Sequence, residues 1–165
     1  MVNDPVGDML TRRDVSRLRK LAPSVTSINL YGTTETQRAF GFYAQESTKE
    51  ELPVGRGIDG VQLLVLNAAQ GLAGIGELGE IYFRSPYLAR GYNEDDELTR
   101  QRFITNPFTG IQDDRLYKTG DVGRYLPDGN VEMLGRIDDQ VKIRGFRVEL
   151  GEIGELELRA QHSVE

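Results

Sequence analysis

The spacing of apolar positions changes twice along this chain. Val15, Leu18 and Leu21 or Ala22 recur at the three-to-four-residue step of a single helical face. Thr11 with Asp14 three residues on has the form of a capping box, and Pro23 stops the helix. Residues 25–30 then alternate apolar with polar and include β-branched members, which predicts a strand; residues 31–35 are expected to form the loop at its end, where α/β folds hold ligands. From about Val54 the texture becomes short apolar runs punctuated by glycine, at 61–66, 80–83, 122–126, 131–134 and 140–143. Such regular short strands predict a small barrel or sandwich. Pro127 and Gly129 mark a hairpin turn at 126–130, one fixing φ and the other supplying a positive φ. Further helices are expected at 96–103 and from Leu150 through Leu156 and Leu158, the last weakened by Gly154. The pair Ile137-Asp138 separates the β-rich region from a charged segment, which divides the chain into 1–137 and 138–165.

Composition narrows the functional classes. At 165 residues, with 38% hydrophobic and 28% charged residues, the chain fits one folded domain. Its net charge of −6, with scattered basic residues, argues against nucleic-acid binding, which needs clustered cations. There is no cysteine and a single histidine, His162, so disulfide, thiolate and histidine-metal chemistry are excluded. No apolar run approaches the roughly 20 residues of a membrane span, and none resembles a signal peptide. No membrane association and a cytoplasmic setting are the expectation.

Three segments carry candidate chemistry. In Asn29-Leu30-Tyr31-Gly32-Thr33-Thr34-Glu35, Tyr31 offers a stacking face to a base and Gly32 allows close backbone approach. Thr34 offers a hydroxyl to a phosphate, and Glu35 an oxygen ligand to Mg²⁺. The same residues also make an ordinary polar turn. In Tyr117-Lys118-Thr119-Gly120-Asp121, the Asp121 carboxylate can accept both hydroxyls of a ribose, or merely brace a loop. In residues 135–147, Lys142, Arg144 and Arg147 alternate with Val141, Ile143 and Phe146 in a hairpin with one cationic face. That face either meets a phosphate-bearing partner or is solvated.

Taken together, and with Gly76 to Tyr92 (Gly-Glu-Leu-Gly-Glu-Ile, then Leu-Ala-Arg-Gly-Tyr), these segments resemble in order and spacing the core motifs of adenylate-forming enzymes. That superfamily comprises the adenylation domains of non-ribosomal peptide synthetases, acyl-CoA synthetases and luciferases. The runs Gly-Asp-Met-Leu-Thr-Arg-Arg-Asp-Val from Gly7, Leu-Ala-Pro-Ser from Leu21 and Tyr-Gly-Thr-Thr-Glu-Thr-Gln-Arg-Ala from Tyr31 look most like the adenylation region of α-aminoadipate reductases. The resemblance implies an α+β, β-rich fold. Residues 1–137 would be the C-terminal portion of the large subdomain, a strand-loop and a small distorted β-barrel. Residues 138–165 would be the first hairpin and helix of the small lid subdomain.

The resemblance also implies roles. Asn29 and Tyr31 would contact adenine, Thr34 the α-phosphate and Glu35 the Mg²⁺. Asp121 would take the ribose hydroxyls, and Arg136 the ribose or a phosphate. Asp138 would be the hinge, and Gly145 would lie on the loop facing pantetheine. Leu30, Arg38 and Ala39 would border the acyl pocket, where a cationic Arg38 suits an anionic or polar substrate end. The implied activity is activation of an amino or carboxylic acid with ATP as its acyl-AMP, followed by transfer to the phosphopantetheine thiol of a carrier domain. A non-catalytic nucleotide-binding or carrier-docking module is the alternative. Thr33 replaces a frequent proline of the pattern, and Met133 an aromatic. The phosphate-cradling loop, the upstream acid-binding residues and the catalytic lysine would lie in the rest of the adenylation domain, so this chain alone is expected to turn over negligibly.

Overall fold

The computed structural model describes residues 11–43, 52–137, 140–143 and 146–149. Thr11 caps the first helix, α1 (Arg12–Leu21): its Oγ1 accepts from the Asp14 N–H at 3.3 Å, and Asp14 accepts from the Thr11 N–H at 3.2 Å. Two otherwise orphaned helix-end donors are thereby satisfied. Of the expected apolar face only Val15 is buried, and Leu21 is 85% exposed.

Strand β1 (Ile28–Thr33) starts later than the alternation suggests and runs through Tyr31, Gly32 and Thr33, which were expected in a loop. The reason is an antiparallel partner, β2 (Gln37–Tyr43), reached by a tight turn. Thr36 closes that turn, its N–H donating to the Thr33 carbonyl at 3.2 Å and its Oγ1 accepting from the Thr33 N–H at 3.0 Å. The two-residue strand β3 (Arg56–Gly57) continues this sheet along β2.

A second sheet fills most of the remaining described chain; three of its strands and the end of a fourth fall on the glycine-punctuated apolar runs, whereas 103–105 and 115–121 were not read as strands. It comprises β4 (Gln62–Leu66), β5 (Gly79–Arg84), β6 (Phe103–Thr105), β7 (Arg115–Tyr125) and β8 (Val131–Arg136). The helix α2 (Asp96–Arg102), capped by the Asp95 side chain on the Leu98 N–H at 2.8 Å, leads into β6. The eleven residues of β7 organise the sheet. One edge pairs with β5, while the other pairs first with β6 and then with β8. Side chains on β5 alternate between faces. Ile81 and Phe83 enter the main core with Val65, Tyr117 and Val131, whereas Tyr82 packs on the other face with Leu66 and Leu116. The 126–130 turn forms as expected, with the Leu126 N–H donating to Asn130 O at 2.8 Å and Gly129 at φ 79.

The two sheets are joined. The Val54 N–H donates to Val131 O and the Val131 N–H to Gly55 O, each at 2.9 Å. Asn29 Nδ2 donates to Pro53 O at 3.0 Å, and the Tyr31 ring belongs to the main core. Finally β9 (Gln140–Ile143) and β10 (Phe146–Glu149) form the antiparallel hairpin read from residues 135–147. Asp138, Gly145 and the helix expected from Leu150 lie outside the described residues.

Candidate nucleotide site

A bulge in β7 creates the site. Across the β5–β7 ladder Glu80 faces Val122 while Tyr82 faces Lys118, so Thr119, Gly120 and Asp121 all stand opposite Ile81. Such an insertion leaves backbone groups off the ladder and re-aims a side chain. Thr119 Oγ1 donates to Ile81 O at 2.7 Å and accepts from the Asp121 N–H at 2.9 Å. Gly120 takes φ 77, a conformation that glycine adopts without the steric cost of a Cβ. Beyond the bulge, Asp121 pairs in register with Arg136 of β8.

Asp121 is 3% exposed and its carboxylate is shared. Arg136 Nη1 donates to Oδ1 at 2.5 Å, and Arg136 Nη2 to Thr119 O at 3.2 Å. The Tyr31 hydroxyl donates to Oδ2. Three strands, β1, β7 and β8, thus bring Tyr31, Asp121 and Arg136 to one point. The Tyr31 ring lies 5.4 Å from the Phe83 ring and is 7% exposed, so in this conformation it presents no open face to a base.

Burial, and secondarily the Asp121 carboxylate beside it, pushes the Tyr31 phenol well above its ordinary value near 10. A raised folded-state pKa stabilises in full below the unfolded value and is lost as pH climbs past it. Folding stability is therefore expected to fall as pH rises above 10, and Tyr31→Phe to flatten that decline. Urea unfolding at a series of alkaline pH values checks both.

Glu35 occupies a second cluster. It is 6% exposed, and its Oε1 accepts from the Tyr92 hydroxyl at 2.6 Å, which in turn lies 3.3 Å from the Tyr117 hydroxyl. Burial first, and then the bond to Glu35, raises the Tyr92 phenol. The Ala89 N–H donates to Glu35 O at 2.8 Å, and Arg115 holds the carbonyls of Ala89 and Arg90, so β7 pins the 88–92 loop under Glu35. Thr34 is exposed at the hairpin turn beside it. Asn29 is engaged with Pro53, Leu30 is 51% exposed, and the backbone sets Arg38 opposite Gly32 with Ala39 at a bulge in β2. Among the described residues no group of three potential metal ligands forms.

The family model of AMP-binding enzymes matches residues 3–93, more than half of the chain. The chain belongs to that family. L-2-aminoadipate reductase of Schizosaccharomyces pombe is 47% identical to this AMP-binding family member over 180 residues, covering 90% of the chain and 13% of the reductase. Malpinin synthetase of Mortierella alpina is 43% identical over 149 residues, covering 89% of the chain and 2% of the synthetase. A solved NRPS protein containing adenylation and PCP domains superposes with a TM-score of 0.83 at 32% identity, covering 93% of this chain and 32% of that one. This AMP-binding family member therefore spans a small part of the curated relatives it matches and about a third of the solved chain, and its fold is the β-rich portion of an adenylation domain.

Sequence reasoning gave no role to Tyr92, Phe83 or Thr119, each of which touches a candidate residue, or to Tyr117, whose hydroxyl meets that of Tyr92. All four fall inside or beside the motif segments, which was the available signal. Among the described residues no helix is long and apolar enough to cross a membrane.

Proposed function

We propose that this chain forms the nucleoside-holding portion of an adenylation domain. In this reading the domain activates an amino or carboxylic acid with ATP as acyl-AMP and hands it to a carrier-domain phosphopantetheine thiol. The observation that carries the reading is the convergence of Tyr31, Asp121 and Arg136 from three strands on one buried carboxylate. A carboxylate accepts at about four lone-pair positions, so Asp121 can bind vicinal ribose hydroxyls while its bond from Arg136 orients it. The Tyr31 hydroxyl occupies one of those positions, standing in for a sugar hydroxyl. On nucleotide entry Tyr31 would release Asp121 and turn its ring toward the base, with Asn29 at the edge of the adenine and Gly32 giving it room.

The donor set fits Mg²⁺ in its usual mode, in which one or two carboxylates join substrate phosphates and water. Glu35 would supply the carboxylate after turning from Tyr92, and Thr34 would donate to the α-phosphate. When bound, the metal neutralises charge developing on phosphoryl oxygens. Asp138 would act as hinge between 1–137 and 138–165, and Gly145 would lie on the loop meeting the pantetheine. Leu30, Arg38 and Ala39 would border the acyl group. The relatives named for adenylation and PCP domains support the carrier partnership.

Calorimetry with AMP and 2′,3′-dideoxy-AMP tests the nucleoside site. AMP is expected to bind, and the dideoxy analogue at least about tenfold more weakly, since each lost bond to a charged group is worth roughly 1.5–3 kcal/mol. The absence of AMP heat together with an unshifted melting temperature refutes the site.

A further inference from the structure

The bulge that carries Asp121 has a backbone donor served by a side chain of the neighbouring strand, the N–H of Gly120. It donates to Glu80 Oε1 at 3.2 Å. On the other side of the same residue, the Ile137 N–H donates to Gly120 O at 2.8 Å. Gly120 is thus gripped from β5 through a side chain and from the end of β8 through the backbone. Because it immediately precedes Asp121, its two peptide planes set where the Asp121 carboxylate points.

Glu80 is itself held. Tyr82 Oη donates to its Oε2 at 3.0 Å, and Lys118 Nζ stands 3.9 Å from the same oxygen, the Glu80 side chain being 16% exposed. The ion pair is a weak account of why a carboxylate sits there: it is long, Lys118 is 35% exposed, and pairs of this kind contribute about 0–1 kcal/mol. The bond to Gly120 is the stronger account, since a bulge donor facing the sheet needs an acceptor. An open groove of about 250 Å³, lined by Glu80, Lys118, Gly120 and Ile137 among others, runs behind the bulge, so solvent reaches the Gly120 N–H once Glu80 withdraws.

We infer that Glu80 is a positioning residue for ribose recognition, acting through the Gly120 N–H to hold Asp121 in its binding orientation. The inference rests on the nucleoside reading above. It also links the sugar site to Ile137, the residue before Asp138, because the same glycine is bonded to both.

Two conservative variants separate this role from a charge role. Glu80→Asp keeps the charge beside Lys118 and Tyr82 but shortens the reach to Gly120; Glu80→Gln loses the charge and keeps the acceptor. In this chain without nucleotide, the Gly120 amide is expected to exchange at least about tenfold faster in Glu80→Asp and near the wild-type rate in Glu80→Gln, read residue by residue by NMR. Glu80→Asp is also expected to weaken AMP about tenfold while leaving 2′,3′-dideoxy-AMP unchanged, the loss of one charge-assisted bond being of that size. Unchanged Gly120 exchange in Glu80→Asp overturns the proposal, as does the opposite ranking of the variants or an equal loss for both nucleotides. A wild-type chain that does not distinguish the two nucleotides overturns the nucleoside reading and the ribose role together, while the exchange data still decide separately whether Glu80 clamps Gly120.

Discussion

Replacing Asp121 with alanine is expected to lower folding stability by about 3 kcal/mol and to remove ribose-dependent nucleotide binding. Both effects follow from one geometry. Asp121 is 3% exposed and accepts from Arg136 at 2.5 Å and from the Tyr31 hydroxyl. Taking the carboxylate away breaks the ion pair of a guanidinium whose side chain is only 15% exposed. It also leaves a buried phenol without its acceptor. Deleting one member of a buried pair costs more than the pair contributes, because the survivor bears its desolvation alone. Asp121→Asn should retain more of the stability, since the side-chain oxygen still accepts, yet lose most of the binding. Urea denaturation with AMP and dideoxy-AMP titrations separates the two effects, and an Asp121→Ala chain as stable as wild type contradicts the geometry.

The second large effect is expected at Gly79, where alanine should cost about 3 kcal/mol, toward the upper end of the range for overpacking a well-filled interior. An added Cβ there would stand 2.3 Å from the Leu66 carbonyl oxygen and 2.9 Å from Val65 Cγ1. The obstacle is backbone of the neighbouring strand, which cannot swing aside as a side-chain tip can. Gly79 faces Gly123 across the ladder, and a Cβ on Gly123 would meet Glu132 O at 2.5 Å. The sheet is therefore drawn tight at this crossing, just before the bulge that carries Asp121. Gly74→Ala is the control, with its nearest neighbour at 3.6 Å, and should change stability by no more than about 0.5 kcal/mol. Thermal and urea unfolding of the two variants side by side is the measurement.

Much of this was legible in the residues. Local chemistry fixes local structure, so the Thr11 capping box, the Pro127–Gly129 turn, α2 and the strands on the apolar runs could be read from spacing and from residue type. The resemblance of four motif segments reached the right family, because side chains that grip one small molecule recur in a fixed order along the chain. What could not be read was partnership between distant segments. Residues 31–33 were expected in a loop because alternation weakens there, but β2 extends the ladder through them. The three-residue bulge opposite Ile81 leaves no periodic trace: only 122–126 reads as a strand, and 117–121 reads as a motif or loop although β7 runs through it.

Taken alone, the sequence determined both described helices, the strands at 62–66, 79–84, 131–136 and 140–143, and the family; each of these depends on residues near one another along the chain or on motifs in a fixed order. Only the tertiary structure decided that the hydroxyl of Tyr31 lies on Asp121, that Glu35 faces Tyr92 and Tyr117, and that Glu80 holds Gly120. These contacts join residues 90, 57 and 40 positions apart in the first, second and last cases. Strand register and a bulge set the first and the last, and a one-residue shift in a strand turns its side chains to the opposite face of the sheet.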